Sequence, residues 1–197
     1  DGSSMLFVEP LMKAGTVEQD QPRTIYRVTE PVCLQDGDAM IAAFPSHQEG
    51  LHVVYDLDYG DATSRIARQT QAWSSISGTY NTDVAPARTF CLQEEAQALQ
   101  SQGMCTHLSP AEMLVIGQDG PIDNSYRFDN EPVRHKILDI VGDLYLSGAA
   151  IQGRIVASRS GHALNRQLCK AIVEQNKSSN RRMLASTRSA MDVREIQ

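Results

Sequence analysis

Apolar and polar positions alternate or recur along this chain in blocks that can be assigned one at a time. Leu6–Ala14 (LFVEPLMKA) predicts a short helix that stops at Gly15. A polar stretch, Thr16–Pro22, has the character of a linker. Thr24–Leu34 and Ala39–Phe44 are β-branched, alternating runs on either side of Gln35-Asp36-Gly37-Asp38, which predicts a hairpin. Pro31 inside the first run favours an edge or a bulge. Leu51–Leu57 is a third strand. From Asp61 to Asn81 the chain is polar and Ser/Thr-rich, with Trp73 as a packing anchor and no element assigned.

Leu92–Ser101 is strongly helix-forming and ends at Gly103, and Met113–Ile116 is a short strand turned by Gln118-Asp119-Gly120. Pro132–Leu146 carries the clearest helical period, Ile155–Ala157 reads as a short strand, and Ala163–Gln175 as a final amphipathic helix. From Asn176 onward the chain is polar and Arg-bearing, a frayed tail. Strands interleaved with few helices predict an α+β fold, a two-layer sandwich with helices on one face of a mixed sheet.

Composition narrows the class without choosing a function. The 197 residues are 41% apolar and 21% charged, with a formal charge of −6. That excludes a disordered chain, a collagen-like rod and a strongly basic nucleic-acid binder. No apolar run reaches the ~18 residues of a membrane span. Cys33, Cys91, Cys105 and Cys169 are widely spaced with no C-x-x-C pair, which suggests free thiols in a reducing cytoplasm.

Chemistry concentrates in three places. On the Val133–Gly148 helix, Val133, Ile137, Ile140, Val141 and Leu144 gather on one face at ~100° per residue. His135, Asp139 and Asp143 follow at i, i+4, i+8 on nearly the opposite face, with Lys136 beside them. Such a pair can grip one metal ion, although the spacing alone is equally that of a solvated polar face. If so, the polar face looks outward and needs a second layer to cover it. Ser160-Gly161-His162-Ala163-Leu164-Asn165 places a histidine at a helix start, as a general acid or as a cap-region residue. Arg88-Thr89-Phe90 puts a hydroxyl at a turn, as an oxyanion donor or as a helix cap. His47, His52 and His107 have no acidic partner at chelating distance in sequence and read as surface or structural.

Taken together and in order, Arg88-Thr89-Phe90, Arg127-Phe128, Arg134-His135-Lys136-Ile137-Leu138-Asp139, Gly142-Asp143 and Ser160 to Asn165 resemble the zinc-dependent UDP-3-O-acyl-N-acetylglucosamine deacetylases of lipid A synthesis. Asp1-Gly2-Ser3 resembles a signature near the end of that family's first domain. The resemblance implies two packed α+β sandwiches. Residues 1–22 would end the first domain and 23–175 form the second, with a small βαβ insert at about 91–118 and a flexible tail over 176–197. It also implies roles. His135 and Asp139 are zinc ligands, Thr89 and Lys136 stabilise the oxyanion, and His162 is the acid held by Asp143. Phe90 and Tyr59 line the substrate cleft.

Where the family has a third ligand, a histidine preceded by a glutamate base in its first domain, this sequence has no counterpart. The expectation is therefore a fragment that binds zinc weakly and does not turn over alone, its partners being the UDP-linked substrate and the missing first domain. The alternative is a non-catalytic module that binds a partner protein or nucleotide sugar. Thr106-His107-Leu108-Ser109-Pro110 and Gly60-Asp61 depart from the family's usual residues, which bears on acyl-chain length and nucleotide contacts.

Overall fold

The computed structural model describes residues 1–60, 65–106 and 109–192, without side chains for 179–192. Asp61 and His107 therefore lie outside the described residues. The first helix, α1 (Met5–Ala14), is closed by Gly15 at φ 77° and buries none of its residues. Leu6, Phe7, Leu11 and Met12 on it are largely exposed.

The predicted first strand divides at Pro31, whose ring cannot donate to a ladder. Its halves are β1 (Ile25–Arg27) and β2 (Val32–Asp36), and β2 forms the expected hairpin with β3 (Ala39–Phe44). Gly37 adopts φ 55° in the turn between them, a conformation natural to glycine. Next comes β4 (Leu51–Leu57), whose residues alternate buried and half-buried. The polar run that predicted no element holds β5 (Gln69–Ser74), an edge strand antiparallel to β4, and a π-helical turn over Tyr80–Val84. Edge position explains the omission, because Gln69, Thr70 and Gln71 need no apolar face there.

The expected three-residue strand near Ile155 is the nine-residue β9 (Ala150–Ser158) at the centre of the sheet. The order is β2-β3-β9-β4-β5, with β9 antiparallel to β3, parallel to β4, and parallel to β1 through its first residues. Gly153 is needed within this strand. A Cβ at that position would lie 2.6 Å from Val28 Cγ2 and 3.2 Å from the Phe44 carbonyl oxygen. Gly153→Ala is accordingly expected to cost about 1–3 kcal/mol through overpacking, read as a lowered urea midpoint.

Both long helices lie on one face of this sheet, α3 (Glu131–Tyr145) and α4 (His162–Asp192). Ile137, Ile140 and Leu144 of α3 and Leu168 and Ile172 of α4 are fully buried against Ile41, Leu51, Val53, Tyr55 and Ile155. Burial of each such side chain contributes about 1.5–3 kcal/mol. This is the α+β two-layer arrangement that the pattern predicts. The last helix runs well past Gln175, because no Gly or Pro interrupts residues 176–192. A smaller unit flanks the sandwich: β6 (Phe90–Leu92), α2 (Gln93–Ser101) and β7 (Leu114–Gly117) form a parallel βαβ crossover, and β8 (Gly120–Pro121) pairs antiparallel with β7. No described helix is long and apolar enough to cross a membrane.

Candidate active site

Tyr59, Thr89, Phe90, His135, Lys136, Asp139 and His162 all line one cavity of about 550 Å³. Asp143 stands one bond behind, its Oδ2 accepting from His162 Nδ1 at 2.7 Å. The structure thus brings together all eight residues singled out in the sequence. It corrects their setting, however. The polar face of α3 does not look out to solvent, since His135 is 7% and Asp143 8% exposed. Cover comes from the 87–90 segment and from the start of α4, both distant from α3 in sequence.

His135 is held from two sides. Its Nδ1 contacts the Ala87 carbonyl oxygen at 3.1 Å, and Phe90 meets its ring edge to face at 6.4 Å. A carbonyl only accepts, so Nδ1 carries the proton and Nε2 keeps its lone pair. That lone pair faces Asp139 Oδ1 at 3.4 Å. The other oxygen, Asp139 Oδ2, accepts from Lys136 Nζ at 2.8 Å, which leaves Oδ1 without a hydrogen bond, with His162 Nε2 3.9 Å from it. Two electron-pair donors facing each other with no proton between them suit a cation. A tetrahedral centre with ~2.0–2.1 Å arms spaces its ligands about 3.4 Å apart, so this nitrogen–oxygen pair fits zinc. The described residues contain no group of three or more His, Cys, Asp or Glu able to hold a metal.

Burial pushes the His135 pKa below the ordinary histidine value, against the opposing pull of Asp139. The folded state then binds fewer protons than the unfolded chain between the two pKa values. Stability from this group is complete above about pH 6.5 and declines as pH falls below it. For metal-free protein we expect a lower urea midpoint at pH 5.5 than at pH 7.5. His135→Gln should flatten that difference.

His162 opens α4, and its side chain is 58% exposed to the cavity while that of Asp143 is 9% exposed. The Asp143 oxygen that takes His162 Nδ1 also accepts from Asn165 Nδ2 at 3.0 Å, and Asn165 Oδ1 accepts from Ser160 Oγ at 3.2 Å. Ser160 is tied in turn by its carbonyl, which accepts from Tyr55 at 2.6 Å. The chain Tyr55–Ser160–Asn165–Asp143–His162 fixes the imidazole with its Nε2 toward the cavity. Asn165, fully buried, escaped the sequence reading as a functional residue. Its signal was the four-residue reach from Gly161 into the first helical turn.

The sequence reading also missed Arg159 and Asp58, which line the cavity as an ion pair at 3.0 Å. Tyr59 and Phe90 pack edge to face at 6.4 Å, and burial pushes the Tyr59 hydroxyl up to about 12, so it stays a neutral donor. Thr89 forms a wall common to this cavity and a second one of about 410 Å³. Leu99, Met113, Val115 and Ile122 give the second cavity an apolar lining. Of the other histidines, His52 contacts the Glu49 carbonyl oxygen, and neither His52 nor His47 lines the cavity.

Known proteins match most of the chain. A family model described as UDP-3-O-acyl N-acetylglycosamine deacetylase (LpxC) covers residues 1–174. A Leptospira biflexa protein named UDP-3-O-acyl-N-acetylglucosamine deacetylase is 38% identical over 176 residues, 89% of this chain and 57% of its own length. Proteins of the same name from Thermosynechococcus vestitus and Chlamydia pneumoniae are each 38% identical, with 59% and 61% of their lengths covered. The chain thus spans about three fifths of the curated relatives it matches.

Proposed function

This chain belongs to the UDP-3-O-acyl N-acetylglycosamine deacetylase family, and from that membership we propose that it supplies the C-terminal part of a zinc-dependent deacetylase of lipid A biosynthesis. The reaction is hydrolysis of the acetamide of UDP-3-O-acyl-N-acetylglucosamine, giving acetate and a free amine. The observation that carries this reading is one cavity lined by both the His135–Asp139 donor pair and His162, with Asp143 bonded behind the latter.

His135 Nε2 and Asp139 Oδ1 are the two zinc ligands of the chain. A zinc held by them would supply Lewis acidity to the acetamide carbonyl and the attacking water. The Thr89 hydroxyl donates to the oxygen that gains charge, and Lys136 adds a positive charge one turn away. Charged His162 passes its Nε2 proton to the departing nitrogen, and Asp143 keeps Nδ1 protonated and stabilises the ring while it is cationic. Phe90 and Tyr59 border the sugar and nucleotide ends, and the apolar 410 Å³ cavity beside Thr89 takes the acyl chain. In this reading residues 1–22 close a first domain and 23–175 are the second. The substrate is a nucleotide sugar met in the cytoplasm, where the four cysteines remain free thiols.

A catalytic zinc takes three protein ligands and water. With two ligands here, the third and the general base come from family sequence outside this chain, and the chain alone is inactive. Zinc titration against a chelating dye tests the assignment. The chain is expected to bind weakly, and His135→Ala to weaken binding by at least about 100-fold, beyond the range typical of supporting residues. Equal affinity in the variant would remove His135 from the ligand set.

A further inference from the structure

Each residue of the segment Pro86–Thr89 has a backbone group held from outside the segment, each by a different residue. The Pro86 carbonyl accepts from Arg127 Nη1 at 2.7 Å, and the Ala87 carbonyl from His135 Nδ1 at 3.1 Å. The Arg88 amide donates to Glu131 Oε1 at 3.0 Å, and the Thr89 amide to the Asp1 carbonyl oxygen at 3.1 Å. Three of these holders are linked to one another. Arg127 Nη2 donates to Asp1 Oδ2 at 3.0 Å, and the Arg127 amide donates to Glu131 Oε2 at 2.6 Å. Glu131 is fully buried and closes the circuit by accepting from Arg88 Nε at 2.9 Å and Nη2 at 3.1 Å.

Gly2 adds a steric constraint. It sits at φ 74°, and a Cβ there would lie 2.8 Å from Thr89 Cβ and 2.9 Å from Thr89 Cγ2. Only hydrogen fits between the turn at Asp1–Ser3 and the Thr89 side chain. That turn is itself stitched by the Ser3 amide on Asp1 Oδ1 at 2.9 Å. Thr89 lines the cavity, and its hydroxyl, by contrast, makes no hydrogen bond among the described residues. Its direction is therefore set by the backbone that carries it.

We propose that the circuit through Asp1, Gly2, Arg127, Glu131 and Arg88 is a positioning device that sets the Thr89 hydroxyl and the His135 imidazole against each other. None of the five lines the cavity. The functional meaning rests on the reading of Thr89 and His135 given above, whereas the wiring can be tested apart from it. The physical motive is that a donor aimed at a developing charge acts through its preorganisation, and a displacement of about 1 Å can cost on the order of 100-fold.

Arg127→Gln is the informative variant, because its partly exposed side chain can be shortened without opening the core. Amide hydrogen exchange and imidazole ¹⁵N NMR on the 197-residue chain give the readout. We expect exchange at the Thr89 amide to rise about tenfold while the central-sheet amides of Ile41 and Ile155 hold their rates, a local opening. We also expect His135 to leave a single Nδ1–H tautomer for a mixture. Gly2→Ala, which acts on the same segment by steric pressure, should do the same, and Arg127→Lys should restore part of the wild-type pattern. Uniform acceleration of all amides, or no change at Thr89 and His135, overturns the proposal.

A kinetic arm uses the chain joined to the remaining sequence of the Leptospira biflexa relative. There Arg127→Gln should lower kcat about tenfold with KM within about twofold, a pattern expected for interactions realised in the transition state. A raised KM with kcat unchanged overturns the positioning role. Absence of turnover in the unmutated fusion counts against the deacetylase reading alone and leaves the NMR result to decide the circuit.

Discussion

Replacing His162 with alanine is expected to lower kcat by two to four powers of ten in an enzyme assembled from this chain and the remaining sequence of a relative. That is the range for removing a positioned general acid. Zinc content should be unchanged, because His162 is held by Asp143 through Nδ1 at 2.7 Å and is not one of the proposed ligands. Asp143→Asn should follow in the same direction, since an amide in place of that oxygen no longer stabilises the charged ring. Stopped assays at saturating substrate measure the effect. A variant that keeps kcat within about twofold would remove His162 from the chemistry and leave the cavity without an acid.

Arg88→Met is expected to lower stability by about 3–5 kcal/mol, among the largest effects of any single change in the chain. Arg88 is 4% exposed and Glu131 is fully buried, and their side chains meet at 2.9 Å. Burial alone would raise the Glu131 carboxyl, but hydrogen bonds from Arg88 and from the Arg127 and Arg88 amides outweigh it and hold it below the ordinary value. Removing the guanidinium leaves a buried charge with only two amides. Arg88→Met combined with Glu131→Gln should recover part of the loss, because the glutamine carries no charge and its one oxygen still accepts from one of those amides. Glu131→Leu should not recover it, since both amides would then be orphaned. Urea unfolding of the three variants separates these outcomes. A loss under about 1 kcal/mol for Arg88→Met would show that the pair is not the lock on this segment.

Much of the fold is legible along the chain, and the failures share a cause. The β2–β3 hairpin is visible because Asp36-Gly37 punctuates two alternating runs, and α3 because its apolar positions keep one period. β5 is hidden because an edge strand does not need an apolar face, and β9 is cut short because Gly153 breaks its run. Only the approach of Val28 to 2.6 Å of a Cβ at that site explains why a glycine belongs in a central strand. Both reasons lie in neighbours that are remote in sequence.

The site shows the same division. Spacing places His135, Asp139 and Asp143 on one face of a helix, yet it turns that face toward solvent. The 87–90 segment that buries His135 lies nearly fifty residues earlier, and no local period reports it. Arg88 and Glu131 are likewise silent, because an isolated charge in a sequence reads as surface. The resemblance in motif order supplies the roles, and the geometry supplies what resemblance cannot: which oxygen of Asp139 takes no hydrogen bond, which nitrogen of His135 is bare, and what holds Thr89.

Acetate release from UDP-3-O-acyl-N-acetylglucosamine, measured with and without added zinc, tests the account most directly. The chain by itself should release none, and the chain joined to the remaining sequence of the Leptospira biflexa relative should release acetate only when zinc is present. Zinc-dependent acetate from the chain alone would contradict the two-ligand account. A folded, zinc-loaded fusion that releases none would contradict the deacetylase assignment and favour a binding module.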